Sequence, residues 1–261
     1  MEIFALDSFE VSNAPEWNCP TCSRGILQVS GSLRLEDTAH TILYRSDESF
    51  EPEYAEYNVI GMLKCNRSKC SETVMMVGTG FCDLDQGYVD GEWTQYLTNY
   101  CKPRFFQPHL NVFEIPAYVP TEISDMLKLS FAVFFCDSDS CGNRIRASVE
   151  IVLNHIGSPS TRVTVNSGRV KAISLGDRIK ALTETHDNIK ELLSAIRIIG
   201  NDSSHSETSI SRQDTIDAYT MVRFILEILF RPQVDTAEIY QLAQQRIAES
   251  EARTQAAQAP I

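Results

Sequence analysis

The hydrophobic positions change period part-way along the chain. Up to about residue 118 they come in short runs. Ile26 to Val29, His40 to Tyr44, Tyr57 to Leu63 and Thr73 to Phe81 are apolar or β-branched and read as strands, with Asp, Gly and Pro between them. Tyr96, Tyr100, Phe105, Phe106 and Phe113 then form an aromatic-rich connector. Its rings are expected to pack between two halves of the molecule; a base-stacking platform is the other reading. From Pro120 the spacing becomes helical. Thr121 is an expected N-cap, and Ile123, Met126, Leu127, Ser130 and Phe134 share one face. A second helix is expected from Asn143 to Ile156, with Ile145, Val149, Val152 and Ile156 on one side and Gly157 and Pro159 at its end. Residues 158–172 read as a polar loop. Further helices are expected from near Ser174 and from Asp187 to Ile199. Gly200 to His205 then reads as a helix-breaking polar turn. Gln213 to Phe230 is apolar nearly all round, which fits a core helix or a dimer seam. A polar helix rich in Ala and Gln begins at about Thr236 and runs into a tail.

These periods predict an α+β protein, with a β-rich domain over residues 1–118, a helical domain over 119–232, and a polar C-terminal helix and tail over 233–261. Composition agrees with a folded chain: of 261 residues 43% are hydrophobic and 22% charged. The longest nearly unbroken apolar run is Leu129 to Phe135, far short of the roughly 20 residues a membrane-spanning helix needs. The acidic start, Met1 to Trp17, has no basic or apolar region of a secretory signal, so a cytoplasmic location is expected and no membrane partner. The net charge is −12, and residues 1–120 carry 8 basic against 17 acidic side chains. A chain this acidic cannot hold a phosphate backbone by bulk charge, so any nucleic-acid contact must be a local site.

Six of the eight cysteines fall in close pairs: Cys19-Pro-Thr-Cys22, Cys65-Asn-Arg-Ser-Lys-Cys70 and Cys136-Asp-Ser-Asp-Ser-Cys141. In a reducing compartment such pairs read as zinc ligands more naturally than as disulfides. Two tight turns, each presenting two thiolates, complete a tetrahedron. Cys19, Cys22, Cys65 and Cys70 are the expected ligands of a structural zinc, with Gly25 letting the backbone curl at the first knuckle and Trp17 covering it. With no His, carboxylate or open position, a catalytic metal is not expected. Cys136 and Cys141 lie between Phe131 to Phe135 and the helical spacing of Arg144 to Ile156, and read as small buried or junction residues. Asp83 to Asp90 alternates acids as a calcium loop does, but lacks the Gly at the sixth position and the Glu at the twelfth. No phosphate-binding glycine loop is present.

Three stretches of the helical half carry a family resemblance: Ile115-Pro116 to Asp125; Arg144 to Leu153, which has the form of an R-x-x-L-E-x-x-L helix; and Ile196-Arg197-Ile198-Ile199-Gly200-Asn201-Asp202-Ser203-Ser204-His205, followed by Asp217-Ala218 and the Phe224 to Phe230 helix. Over roughly residues 115–232 the chain resembles the domain-of-unknown-function family 4145, a branch of the HEPN helical superfamily of prokaryotes. The resemblance implies a HEPN-like helical bundle, often behind an N-terminal cysteine knuckle pair, in proteins found beside restriction or other defence components. HEPN ribonucleases dimerise to bring two Arg-Asn…His turns into one cleft and cut RNA without metal. That implies catalytic roles for His205, Arg197 and Asn201. Arg can hold a scissile phosphate, and His can exchange a proton with the attacking or leaving oxygen. The sequence departs from the nuclease pattern at Gly200, where the motif has Arg; Arg197 lies one turn earlier.

Arg146, Glu150 and Ser204 are candidate binding residues beside that turn. The plainer readings are that Gly200-Asn201 is a helix C-cap, His205 bonds its own turn, and Arg146 and Glu150, four apart, form an ordinary ion pair. The sequence therefore leads to a nucleic-acid-associated binding or assembly component of a prokaryotic defence or toxin-type system. It would act as a homodimer, with RNA or another nucleic acid and a defence-system protein as partners. A metal-independent endoribonuclease and a structural adaptor for a partner enzyme are the alternatives. A basic groove near 197–205 would favour nucleic acid, and an exposed apolar face on the cysteine-rich half would favour the adaptor.

Overall fold

The computed structural model describes residues 2–89, 91–163, 168–203, 209–232 and 236–257. The first half is a curled antiparallel sheet and the second is helical. A short helix α1 (Glu2–Ala5) precedes strands β1 (Phe9–Glu10), β2 (Trp17–Asn18), β3 (Ile26–Val29) and β4 (Arg34–Asp37). After helix α2 (Ala39–Tyr44) come β5 (Glu56–Cys65), β6 (Thr73–Val89) and β7 (Glu92–Gln107). The sheet order is β1-β7-β6-β5-β3-β2, with β4 on β5. Alternation sets the faces: Val59, Leu63, Val74, Met76, Cys101 and Phe106 are buried, while Ile60, Met62, Met75, Val77 and Phe105 point out.

Helix α3 (Thr121–Val133) opens the second half, followed by α4 (Ser138–His155), a small hairpin of β8 (Thr161–Val163) and β9 (Val170–Ala172), and α5 (Leu175–Lys180). Then come α6 (Asp187–Asp202), α7 (Arg212–Phe230) and α8 (Ala237–Ala257). Helices α3, α4, α6 and α7 bury Ile123, Leu127, Ile145, Val149, Leu193, Ile196, Val222 and Ile225. Among the described residues no helix is long and apolar enough to cross a membrane.

The two halves share one hydrophobic core. Phe106 of β7 lies 4.7 Å from Phe135, and Phe4 lies 5.8 Å from Phe134 and 5.9 Å from Phe135. Phe113 packs on Phe131 and Tyr219. The aromatic stretch thus packs between the halves through Phe106 and Phe113. It is mostly not a connector, however: Tyr96 to Phe106 belong to β7, bonded to β6 along its length.

Five local expectations give way to the structure. Residues 158–172, expected as a loop, hold the paired strands β8 and β9. His40 to Tyr44 is helix α2 and not strand, because Thr38 caps it by accepting from the Thr41 N–H and only Thr41 is buried. Thr121 is the first helical residue, with Pro120 at the cap position. Asp137 caps α4 through the Ser140 N–H, so that helix starts five residues before Asn143. Gly200 and Asn201 do not break α6, which runs on to Asp202 with Ser203 at its C-cap. Gly200 is buried there because a Cβ would stand 2.5 Å from the Arg146 Cβ; the missing side chain lets α4 come close.

Candidate metal centre and the α4/α6 contact

The cysteine centre is built from two turns that each follow a strand of the sheet. The first turn lies between β2 and β3, which pair through Trp17 with Leu27 and Asn18 with Ile26. The Cys19 N–H donates to the Gly25 carbonyl (2.8 Å) and the Ser23 N–H to the Cys19 carbonyl (2.9 Å). The second turn joins β5 to β6. Here the Cys65 N–H donates to the Glu72 carbonyl (2.8 Å) and the Ser71 N–H to the Arg67 carbonyl (2.9 Å). In both turns the second cysteine is followed by a serine in the left-handed region, Ser23 at φ 52° and Ser71 at φ 51°. Non-glycine residues seldom take that conformation. Its repetition turns both chains back under their own sulfurs.

The turns are locked to each other. The Ile26 N–H donates to Asn66 Oδ1 (3.0 Å), the Asn66 N–H to the Ile26 carbonyl (2.9 Å), and Thr21 Oγ1 to Glu72 Oε2 (2.6 Å). Asn111, in the loop after β7, donates to the Pro20 carbonyl (3.0 Å). Trp17 is buried against Phe9 and Phe106 and anchors the strand that carries the first turn.

All four Sγ atoms lie within 4.8 Å of one another. Cys19 Sγ is 3.7 Å from Cys70 Sγ, and Cys22 Sγ is 3.8 Å from Cys65 Sγ. Those separations exclude disulfides, whose S–S bond is about 2.05 Å. They agree with the edge of a tetrahedron of about 2.3 Å zinc–sulfur bonds, roughly 3.8 Å. Each sulfur also meets backbone hydrogen bonds from residues just after it: Cys19 from Thr21 and Cys22, Cys22 from Arg24 and Gly25, Cys65 from Arg67, Cys70 from Glu72. Such N–H groups favour thiolate. The Arg24 N–H, helped by that of Gly25, pulls the Cys22 thiol down to about 6, while burial pushes those of Cys19 and Cys65 up. The four cysteines therefore lie close enough to bind a metal ion, in a donor set suited to a soft or borderline cation with no position left for substrate.

The other cysteines stand apart. Cys141 is buried on α4 with its Sγ 3.1 Å from the Tyr219 hydroxyl, and the Cys136 thiol donates to the Val133 carbonyl (3.4 Å). Cys82 and Cys101 are buried thiols of the sheet.

The second candidate constellation spans α4 and α6. The Arg146 stem lies over Gly200, and Asn143 Nδ2 donates to the Ser203 carbonyl (3.4 Å), so the two helices pack antiparallel. Arg146 Nη2 is 3.5 Å from Glu150 Oε1, the plain ion pair expected of residues four apart. Arg146 Nε is nevertheless buried without a hydrogen-bond partner among the described residues. Arg197 lies against Gly176 of α5, one turn from Asn201 on the same helix. Ser204 and His205 lie outside the described residues.

Residues 129–254 match the family model described as Domain of unknown function (DUF4145). That match runs from within α3 into α8 and takes in Arg146, Glu150, Arg197 and Asn201. Residues 7–106 match a second one, Domain of unknown function (DUF8608), which contains all four clustered cysteines and nearly the whole sheet. No curated protein and no solved structure matches the chain.

Sequence spacing found the four cysteines. It missed the residues that lock the turns: Asn66 directly after Cys65, Asn111 far along the chain, and the two serines after the second cysteines. The Cys-Ser repeat at 22–23 and 70–71 was the available signal.

Proposed function

We propose that this chain is a HEPN-like, nucleic-acid-associated binding or assembly component of a prokaryotic defence or toxin-type system, held together in its N-terminal half by a structural, zinc-ribbon-like zinc site on Cys19, Cys22, Cys65 and Cys70. The observation that carries the assembly reading is the outward side of the sheet. Ile60, Val77 and Phe105 sit side by side on β5, β6 and β7, with Met62 opposite Met75 next to them. They are 48%, 41% and 52% exposed for the row and 43% and 51% for the methionines. A contiguous apolar patch on a face opposite the core is a usual mark of a protein contact. It equally supports the adaptor reading, in which the partner is an enzyme. The zinc supplies rigidity and no chemistry.

The nucleic-acid reading rests on Arg146 and Arg197. Arg146 and Arg197 stand on neighbouring helices. Among the described residues Arg146 shares its charge with Glu150 alone, at 3.5 Å, and its Nε has an unused donor. A guanidinium with a free N–H suits a phosphate. A homodimer through α7, where Phe224 and Ile228 are exposed, would double that site. The endoribonuclease alternative adds His205 as proton carrier and Asn201 as an orienting donor.

The test is single-stranded RNA binding by fluorescence anisotropy across a salt series, with oligomeric state measured in the same samples. Arg146→Ala and Arg197→Ala should each weaken binding at every sequence and lower the salt slope by about one. Cleavage assayed in EDTA, wild type beside His205→Ala, separates nuclease from binder. A folded wild-type dimer that neither binds nor cuts RNA removes the nucleic-acid reading. Loss of co-purifying partners on Met75→Asp, with RNA behaviour unchanged, favours the adaptor.

A further inference from the structure

The segment from Thr38 to Glu56 builds a second, separate concavity. Thr38 caps α2, and the chain then makes two successive turns, the Asp47 N–H donating to the Tyr44 carbonyl (2.9 Å) and the Phe50 N–H to the Asp47 carbonyl (3.1 Å). Pro52 starts a single 3-10 turn, Pro52–Tyr54. Thr41 Oγ1 clips the segment to β5 through the Glu56 carbonyl (2.9 Å) and the Glu56 N–H (2.8 Å). These turns gather four rings. His40 and Tyr44 have centroids 4.7 Å apart, and Phe50 and Tyr54 6.5 Å apart at 80°. With Asp47 and Ser49 they line a cavity of about 250 Å³.

Two features separate this from a small loop core. Tyr44 is 47% and Tyr54 59% exposed, so the rings stand around an opening and do not close over one another. The segment that carries Asp47 into the wall is also acidic. Residues 46–56 hold Asp47, Glu48, Glu51, Glu53 and Glu56 and no basic side chain. Arg45 beside them is spent on Asp37, at 2.7 Å. Ring faces are negative, and rings around a carboxylate attract a cation.

The lining also selects the kind of cation. Asp47 Oδ1 already accepts from the Ser49 N–H (2.9 Å) and the Ser49 hydroxyl (2.7 Å). Those two donors hold the Asp47 carboxyl below its usual range, so it keeps its charge at neutral pH. Four ring faces cannot replace the strongly held hydration shell that a bare ammonium would have to give up. A methylated ammonium needs none: its charge is spread over apolar methyl groups that fit against rings.

We propose that His40, Tyr44, Phe50 and Tyr54, with Asp47, form a binding site for a methylated ammonium group. The volume is below that of a drug-sized pocket, roughly 300 Å³ and upward, and suits a single head group. Such a group occurs on small free cations and on trimethylated lysine side chains, and the experiment distinguishes the two sources.

The full chain is titrated with choline, with its uncharged carbon isostere 3,3-dimethyl-1-butanol, and with a short peptide carrying trimethyl-lysine, following calorimetric heat and NMR shifts at fixed ionic strength. Choline should bind saturably and the isostere about tenfold more weakly. Tyr44→Leu and Tyr54→Leu should each weaken choline about tenfold, Tyr54→Phe should retain binding, and Asp47→Asn should weaken it several-fold. Unchanged thermal unfolding of these variants rules out collapse of the loop as the cause. A peptide at least tenfold tighter than choline assigns the site to a modified protein side chain; a peptide no tighter assigns it to a free cation. Equal binding of choline and the isostere, or no saturable response to choline and peptide up to about 20 mM, overturns the proposal.

Discussion

Gly25 and Cys65, forty residues apart in the chain, meet so closely across the two turns that a Cβ on Gly25 would collide with the Cys65 sulfur and press on the Arg67 stem. The contact closes the sulfur cluster, because it lets the β2–β3 turn lie directly against the first ligand of the other. Gly25→Ala should push Cys65 out of the tetrahedron. Zinc content should fall well below one per chain, and stability should drop by about 1–3 kcal/mol from overpacking alone. Metal analysis and urea unfolding of the purified variant check this; full zinc occupancy with wild-type stability would refute the assigned packing. Cys65→Ser, which keeps the volume but weakens the ligand, should lose metal as well.

Tyr219 ties three helices together at one buried point. Its hydroxyl donates to Ser130 Oγ of α3 (2.8 Å) and lies 3.1 Å from the Cys141 sulfur of α4, while the ring packs on Phe113 and Phe131. Tyr219→Phe keeps the ring and removes the bond. Ser130 still donates to the Leu127 carbonyl (2.6 Å), so no donor is stranded. The expected cost is about 1 kcal/mol, read as a lower urea midpoint with unchanged slope. Tyr219→Ala should cost about 3–5 kcal/mol, as large aromatic truncations do.

The order of legibility follows the physics of the signals. Cys19-Pro-Thr-Cys22 and Cys65 to Cys70 could be read because four-thiolate metal sites in general fix both residue type and spacing, and these four sulfurs do converge. The helices carrying Ile123, Leu127, Ile145, Val149, Leu193 and Ile196 could be read because one buried face imposes a 3.6-residue period. The far ends of β6 and β7 could not. From Asp83 to Leu97 nearly every described side chain is at least partly in water on both faces, so no alternation marks the strands, and Asp83 to Asp90 shows only the alternating acids of a calcium loop that its Gly and Glu positions rule out. The Asp90-Gly91 pair before Glu92 was the hairpin signal. Gly200 misled for the opposite reason. Its missing side chain serves a contact with Arg146, and no local rule distinguishes that from a helix end.

Two buried thiols should make the fold sensitive to alkali. Burial pushes Cys101 and Cys141 up to about 12, against 9.0 for a free thiol. Because the folded value is the higher one, their contribution is fully present below about pH 9. It is lost as the pH rises from there toward 12, by up to about 1.4 kcal/mol per pH unit for each group. Urea midpoints should fall between pH 9 and 10.5, and Cys101→Ala should flatten that fall while leaving the pH 6–8 region level. An equal alkaline loss in the variant would show that other groups dominate.

The shared core makes a prediction about dissection. Phe134 and Phe135, at the end of α3, are covered by Phe4 and by Phe106 of the sheet, and the Arg104 guanidinium donates to the Cys136 carbonyl (3.1 Å). Arg212 adds its guanidinium over both phenyl rings, at 5.8 and 5.5 Å. A fragment of residues 119–232 would carry that apolar surface into water. It should be aggregation-prone or less stable than the same helices in the full chain by several kcal/mol, since each uncovered Phe forfeits about 1.5–3 kcal/mol. Phe106→Ala in the intact protein should cost about 3–5 kcal/mol and lower both halves in one transition. Tryptophan fluorescence reports the sheet, where Trp17 and Trp93 both lie, and far-UV circular dichroism is dominated by the helices. Coincident curves are the expected result; two separated transitions would mean that the halves are independent domains meeting at a dispensable contact.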